Sequence, residues 1–134
     1  MAKLTKLQSE IISDLRTLSP ERFVSMRVLE PIPFIFNGDG DAYREWRHDL
    51  GTRLKVDPRA LAIVGSAAAG VSLSPRKNLA PFHADSDVDV AVISMVHFEL
   101  GWQWLRQLGA DLYALPPDAR ASVKDHRERL IYWA

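Results

Sequence analysis

The chain has 134 residues, 47% apolar and 25% charged, and its 17 basic and 17 acidic side chains cancel. That length supports one domain around one core, and the neutral balance gives no global push towards nucleic acid or an anionic membrane surface. Cysteine is absent, which excludes disulfides and thiolate metal sites and fits a reducing compartment.

The first segment, MAKLTKLQSEIISDLRTL, is amphipathic and carries both charges; it lacks the apolar run and small-residue cleavage site of a secretion signal. Leu4, Leu7, Ile11, Ile12, Leu15 and Leu18 recur at helical spacing, which predicts a helix over 3–18. Ser19-Pro20 ends it and starts a further turn at Glu21. FVSMRVLEPIPFIF (23–36) is apolar and β-branched but interrupted by Pro31 and Pro33, so it reads as extended, at best an edge strand. NGDGD (37–41) is a turn whose second half caps the next helix. That helix, 41–55, carries Tyr43, Trp46, Leu50 and Leu54 on one stripe and breaks at Asp57-Pro58. ALAIVG (60–65) reads as a short buried strand closed by glycine. Residues 71–86 hold Pro75 and Pro81 without a clear period and form a loop. SDVDVAVIS (86–94) reads as a second buried strand that opens on two carboxylates. Residues 97–115 are apolar enough for a mostly buried helix, weakened by Gly101 and Gly109. After Pro116-Pro117, residues 118–134 read as helical and end on the apolar run Leu130, Ile131, Tyr132 and Trp133. That ending implies either a docked C-terminus or a fragment of a longer protein, and the fragment is the favoured expectation. No stretch reaches the length of a bilayer span, so the cytoplasm is the expected location.

The expected fold is α/β (α+β): a small, mixed, twisted sheet with helices packed mainly on one face. A single domain would comprise an N-terminal helical segment (1–40), a core (41–94) and C-terminal helices (95–134).

The chemistry concentrates where the two strands end. Asp87 and Asp89 alternate onto one face of their strand, where they repel each other unless a cation intervenes. Two carboxylates on one face suit Mg²⁺, with Mn²⁺ as its substitute, because that ion takes one or two carboxylates plus substrate phosphates. Gly65-Ser66 ends the other strand. There the backbone approaches a ligand without a Cβ in the way, and N–H groups, a hydroxyl and a helix start face phosphate oxygens. The small residues Ala67, Ala68 and Ala69 let that helix pack closely.

GSAAAGVS (65–72) followed by SDVDVAVI (86–93) resembles the signature of the DNA polymerase β-type nucleotidyltransferase superfamily. The resemblance covers about residues 41–94 and extends to stand-alone bacterial nucleotidyltransferase-domain proteins, some of which act in toxin–antitoxin or defence systems. It implies that Gly65 and Ser66 contact the phosphates of a nucleoside triphosphate, that Asp87 and Asp89 hold the divalent metal and are catalytic, and that a third carboxylate on a neighbouring strand completes the site. Asp111, Asp118 and Asp125 follow but fall in helical or capping segments. Glu128 would serve only if 128–134 were a strand; otherwise the third acid is expected beyond residue 134. The loop between Ser66 and Asp87 offers Arg76 and Lys77 as phosphate contacts, against their reading as solvated charges. His83, near Asp85, reads as a solvated loop residue, and His48, His97 and His126 receive no role. Trp46, Trp102, Trp104 and Leu105 are expected in the core, and KDHRER (124–129) on a solvated helix face.

The expected activity is transfer of a nucleoside monophosphate from a triphosphate to an acceptor hydroxyl, with release of pyrophosphate. The acceptor stays open. The alternative is an impaired nucleotide-binding or protein-interaction module, antitoxin-like, that acts on a protein partner.

Overall fold

Helix α1 (Lys6–Thr17) opens the computed structural model, which describes residues 5–132. Thr5 caps it reciprocally: its hydroxyl accepts from the Gln8 backbone N–H at 3.2 Å, and the Gln8 side chain accepts from the Thr5 N–H at 2.7 Å. Two of the donors that every helix start leaves unpaired are thereby satisfied. Ile11 of the expected apolar stripe is fully buried, whereas Leu4 lies outside the described residues. Helix α2 (Pro20–Val24) follows, with Ser19 as its cap and Pro20 at its first position.

The extended reading of 23–36 is corrected. No strand forms there: helix α2 passes into a π-helical turn over Ser25–Leu29, residues 30–33 are irregular, and a 3₁₀ turn follows over Phe34–Phe36. Burial overrides β-branched propensity here. Phe23 and Val28, five positions apart, are 5% and 8% exposed. The wide turn that spaces them closes with the Glu30 N–H donating to the Ser25 carbonyl at 3.0 Å. Arg27, inside that turn, reaches back to α1 and pairs with Asp14 at 2.5 Å and Glu10 at 3.9 Å.

Helix α3 (Gly40–Leu54) begins as the NGDGD turn predicts: the Asp39 carboxylate accepts from the Ala42 N–H at 2.9 Å. Its stripe turns inward, and Phe36 lies 5.2 Å from Tyr43 and 6.0 Å from Trp46, ring centre to ring centre. A 3₁₀ turn over Pro58–Ala60, capped by Asp57, feeds strand β1 (Leu61–Val64), which runs directly into the short helix α4 (Gly65–Ala69). Strand β2 (Asp89–Val92) pairs antiparallel with β1, and Val64 stands opposite Asp89 while Leu61 stands opposite Val92. The coarse class is therefore α+β, helix-rich with a small sheet. That sheet has two strands, both antiparallel, rather than the mixed arrangement expected.

Two apolar clusters hold this part together. Ile11, Phe23, Ala69 and Val71 form one; Val28, Ile63, Ala67 and Ala68 form the other. Helix α4 contributes to both, which explains why its residues are alanines: larger side chains would not fit between two filled clusters. The buried reading of β1 holds, with Leu61 and Ile63 at 1% and 2% exposure. The same reading of β2 is corrected, because Val90 and Val92 are each 38% exposed. They share a face with Ile63 and Leu61, but among the described residues no further strand covers the outer edge of β2.

The chain divides into two compact units after Ile93. The second begins with helix α5 (Met95–Gln107), which leads into a 3₁₀ segment over Gly109–Ala114 and helix α6 (Pro117–Tyr132). The expected buried helix over 97–115 is corrected on two counts. It breaks before Gly109, and Met95, Val96, Phe98, Leu100 and Trp104 are all more than half exposed. Trp104 is therefore not core, and Trp102 stacks on Phe98 within its own helix at 6.4 Å. Helix α6 is tied to the preceding segment by Arg120, which donates to the carbonyls of Tyr113 and Leu115 at 2.8 and 3.1 Å. The side chains of the apolar run 130–133 fall outside those described. Among the described residues no helix is long and apolar enough to cross a membrane.

Gly70, which ends α4 at φ +78°, sits where a Cβ would lie 2.7 Å from Phe34 Cδ2 and 2.8 Å from Leu7 Cδ2. Gly70→Ala adds left-handed strain to overpacking and is expected to cost about 2–4 kcal/mol, read as a lower urea midpoint. Asp57 supplies a pH handle. Its hydrogen bonds to the Arg59 side chain and backbone hold its carboxyl down from 3.8 to about 2. A depressed folded pKa means stabilisation present above pH 3.8 and lost as pH falls towards about 2. Asp57→Asn should flatten that part of the acid limb in a pH series of unfolding midpoints.

Candidate functional site

The ladder between β1 and β2 builds the site. Because Val64 stands opposite Asp89, the residue after Val64 meets the Asp89 side chain. Gly65 adopts φ +67°, and a Cβ added to it would lie 2.9 Å from Asp89 Oδ2. Glycine is therefore required twice, for its left-handed backbone and for the room the carboxylate occupies.

Ser66, Asp87 and Asp89 line one cavity of about 230 Å³. Residues of the 71–86 loop line it too, and that loop is not an open excursion. Val71 and Pro81 form an antiparallel bridge, the Ser72 N–H donates to the Ala80 carbonyl at 2.8 Å, and the Phe82 N–H donates to the Gly70 carbonyl at 2.9 Å. This pinning brings Lys77, at the end of a 3₁₀ turn over Pro75–Lys77, and His83 to the cavity. Of the two loop cations, Lys77 lines the cavity and Arg76 does not.

All four site residues read from the sequence thus fall together, with one qualification. Helix α4 spans only five residues, so its aligned dipole is small, and any grip on an anion falls to the turn's N–H groups and the Ser66 hydroxyl. Asp87 lies two positions before the start of β2. The polar wall residues Ser72, Asp85 and Ser86 were given no site role in the sequence reading. Asp85 had a visible signal, since Asp85, Asp87 and Asp89 alternate. Its carboxylate is 99% exposed and stands 3.9 Å from His83 Nδ1.

The cavity wall carries Asp85, Asp87 and Asp89 against Lys77. An excess of carboxylates rejects a polyanion unless a cation is bound as well. Among the described residues no three His, Asp or Glu side chains close into a ready-made metal cage. Asp87 and Asp89 nevertheless fit Mg²⁺, which is commonly held by two carboxylates with substrate oxygens supplying the rest. Asp111 lies in the 3₁₀ segment of the second unit, and Asp118, Asp125 and Glu128 lie on α6. None of these acids stands on a strand.

Comparison of the chain with protein-family models, with curated proteins and with solved structures finds no match.

Gly65→Ala is the sharpest test of this geometry. It should lower stability by about 1–2 kcal/mol and shift the ¹³C carboxyl resonance of Asp89 while leaving that of Asp57, in the 3₁₀ cap, in place.

Proposed function

We propose that the chain is a metal-dependent nucleotidyltransferase of the DNA polymerase β type, acting on a nucleoside triphosphate. One observation carries this reading: the Asp89 carboxylate packs against Gly65 in a cavity that Ser66, Asp87 and Lys77 also line. At about 230 Å³ the cavity is smaller than the roughly 300–1,000 Å³ of sites that enclose whole ligands. It suits the polyphosphate end of a nucleotide, with the nucleoside outside.

In this reading the turn N–H groups and the Ser66 hydroxyl donate to phosphate oxygens, and the Lys77 ammonium neutralises part of their charge. Asp87 and Asp89 hold Mg²⁺ or Mn²⁺; such an ion, when bound, neutralises the phosphates and offsets the repulsion of the acidic wall. The acceptor hydroxyl oxygen forms a bond to the α-phosphorus as the bond from that phosphorus to the bridging oxygen breaks. Pyrophosphate leaves, and the hydroxyl proton is released to solvent. Positioning and charge neutralisation supply the rate.

A second reading rests on a different observation. The sheet has two strands, Asp87 lies just before β2, and among the described residues Asp89 is the one acid that stands on a strand. That supports a nucleotide-binding module that acts through a protein partner.

Labelled triphosphates with Mg²⁺ or Mn²⁺ and a panel of hydroxyl acceptors separate the two. Transfer is expected, falling by about 10²-fold or more in Asp87→Asn/Asp89→Asn. Transfer that survives the double substitution would overturn the site. Metal-dependent nucleotide binding without transfer would establish the second reading instead. Lys77→Met should raise KM for the triphosphate about tenfold, since removing a phosphate contact weakens binding.

A further inference from the structure

Strand β2 has one paired edge and one open edge. The Ile93 N–H donates to the Ala60 carbonyl at 2.8 Å, and this pair continues the register that sets Leu61 opposite Val92. In an antiparallel ladder alternate residues turn their N–H and C=O groups to the same neighbour. Ala91 and Asp89 therefore face β1 as Ile93 does, and Val90 and Val92 turn their backbone groups outward. Among the described residues no strand, turn or loop backbone bonds to these outward groups. The side chains of the edge divide by face. Val90 and Val92 stand opposite Ile63 and Leu61, so they continue an apolar surface that is buried at β1 and 38% exposed at β2. Asp89 lies on the other face, and with Asp87 it lines the cavity beside Ser66. Neither carboxylate is in an ion pair among the described residues.

We propose that the outer edge of β2 takes up an extended segment of a protein partner as a third strand, and that this segment alternates apolar residues with lysine or arginine. Backbone bonds to Val90 and Val92 supply the pairing. Apolar side chains of the segment cover the two valines on one face, and basic ones meet Asp87 and Asp89 on the other, as cross-strand pairs of opposite charge. Carboxylates that blunt an edge against strands at large thus select a basic one. The β2 strand of a second copy does not fit, because DVDVAVI (87–93) carries acids and no base. This pairing needs neither metal nor nucleotide, so it stands apart from the nucleotidyl-transfer reading and does not rest on it.

The test is an NMR titration of the ¹⁵N-labelled full chain, without metal or nucleotide, with the capped peptide Lys-Val-Lys-Val-Lys-Val. It follows the backbone amides of Val90 and Val92. Saturable shifts of both are expected, with their solvent exchange slowed about tenfold or more at saturation, because a strand on the outer edge hydrogen-bonds those N–H groups. The same peptide with Glu in place of each Lys should bind about tenfold or more weakly. A third peptide, N-methylated at each peptide nitrogen, keeps the side chains and charges but loses its backbone donors, and it should not slow the exchange. Unchanged exchange of Val90 and Val92 with the first peptide would overturn the proposal. Equal affinity for the Glu peptide would also overturn it, as would equal slowing by the N-methylated one.

Discussion

The pairing of Val64 with Asp89 fixes more of this chain than any other contact. It sets the register of the sheet and brings the Asp89 carboxylate against Gly65 at a distance that no Cβ would permit. Because α4 starts at Gly65, the same pairing also places Ala67, Ala68 and Ala69 between the two apolar clusters. A slip of one residue in this ladder would turn Asp89 to the face of Leu61 and Ile63. Site and core are thus two products of one register.

The polar side of that arrangement explains the chemistry proposed for it. Carboxylates outnumber cations around the cavity, so an anionic ligand needs a metal to accompany it. The pinned loop supplies Lys77 to the same cavity. In the proposed site, ligand charge would be met by a cation at Asp87 and Asp89 and by the Lys77 ammonium of the loop.

What the sequence disclosed follows from where the information is local. Caps at Thr5, Ser19 and Asp39 are written in a few adjacent residues, and the apolar periodicity of α1 and α3 is one-dimensional. Gly65, Ser66, Asp87 and Asp89 were legible because side-chain alternation and turn chemistry are both short-range rules. The segment 23–36 was not. Its helical course depends on Arg27 reaching Asp14 and on Phe23 and Val28 entering different clusters, which are contacts distant in sequence. Exposure of β2 was hidden for a related reason, because an apolar strand reads alike whether a third strand covers it or not. Lys77 was visible as a charge, but the Val71–Pro81 bridge that turns it towards the cavity had no local signature.

Among the described residues the outer edge of β2 has no neighbouring strand, and Asp87 and Asp89 bear on that edge as well as on the proposed site. An apolar edge strand with free backbone donors and acceptors is a template for pairing with another chain, and proteins blunt such edges with charge. Here Val88, Val90 and Ile93 are 42%, 38% and 72% exposed, and the two aspartates are the charges that stand among them. On the proposed reading, the acidity that favours a metal also disfavours pairing of that edge with another strand that carries no basic residue. If the proposed chemistry holds, substitutions at these two side chains bear on association as well as on the site.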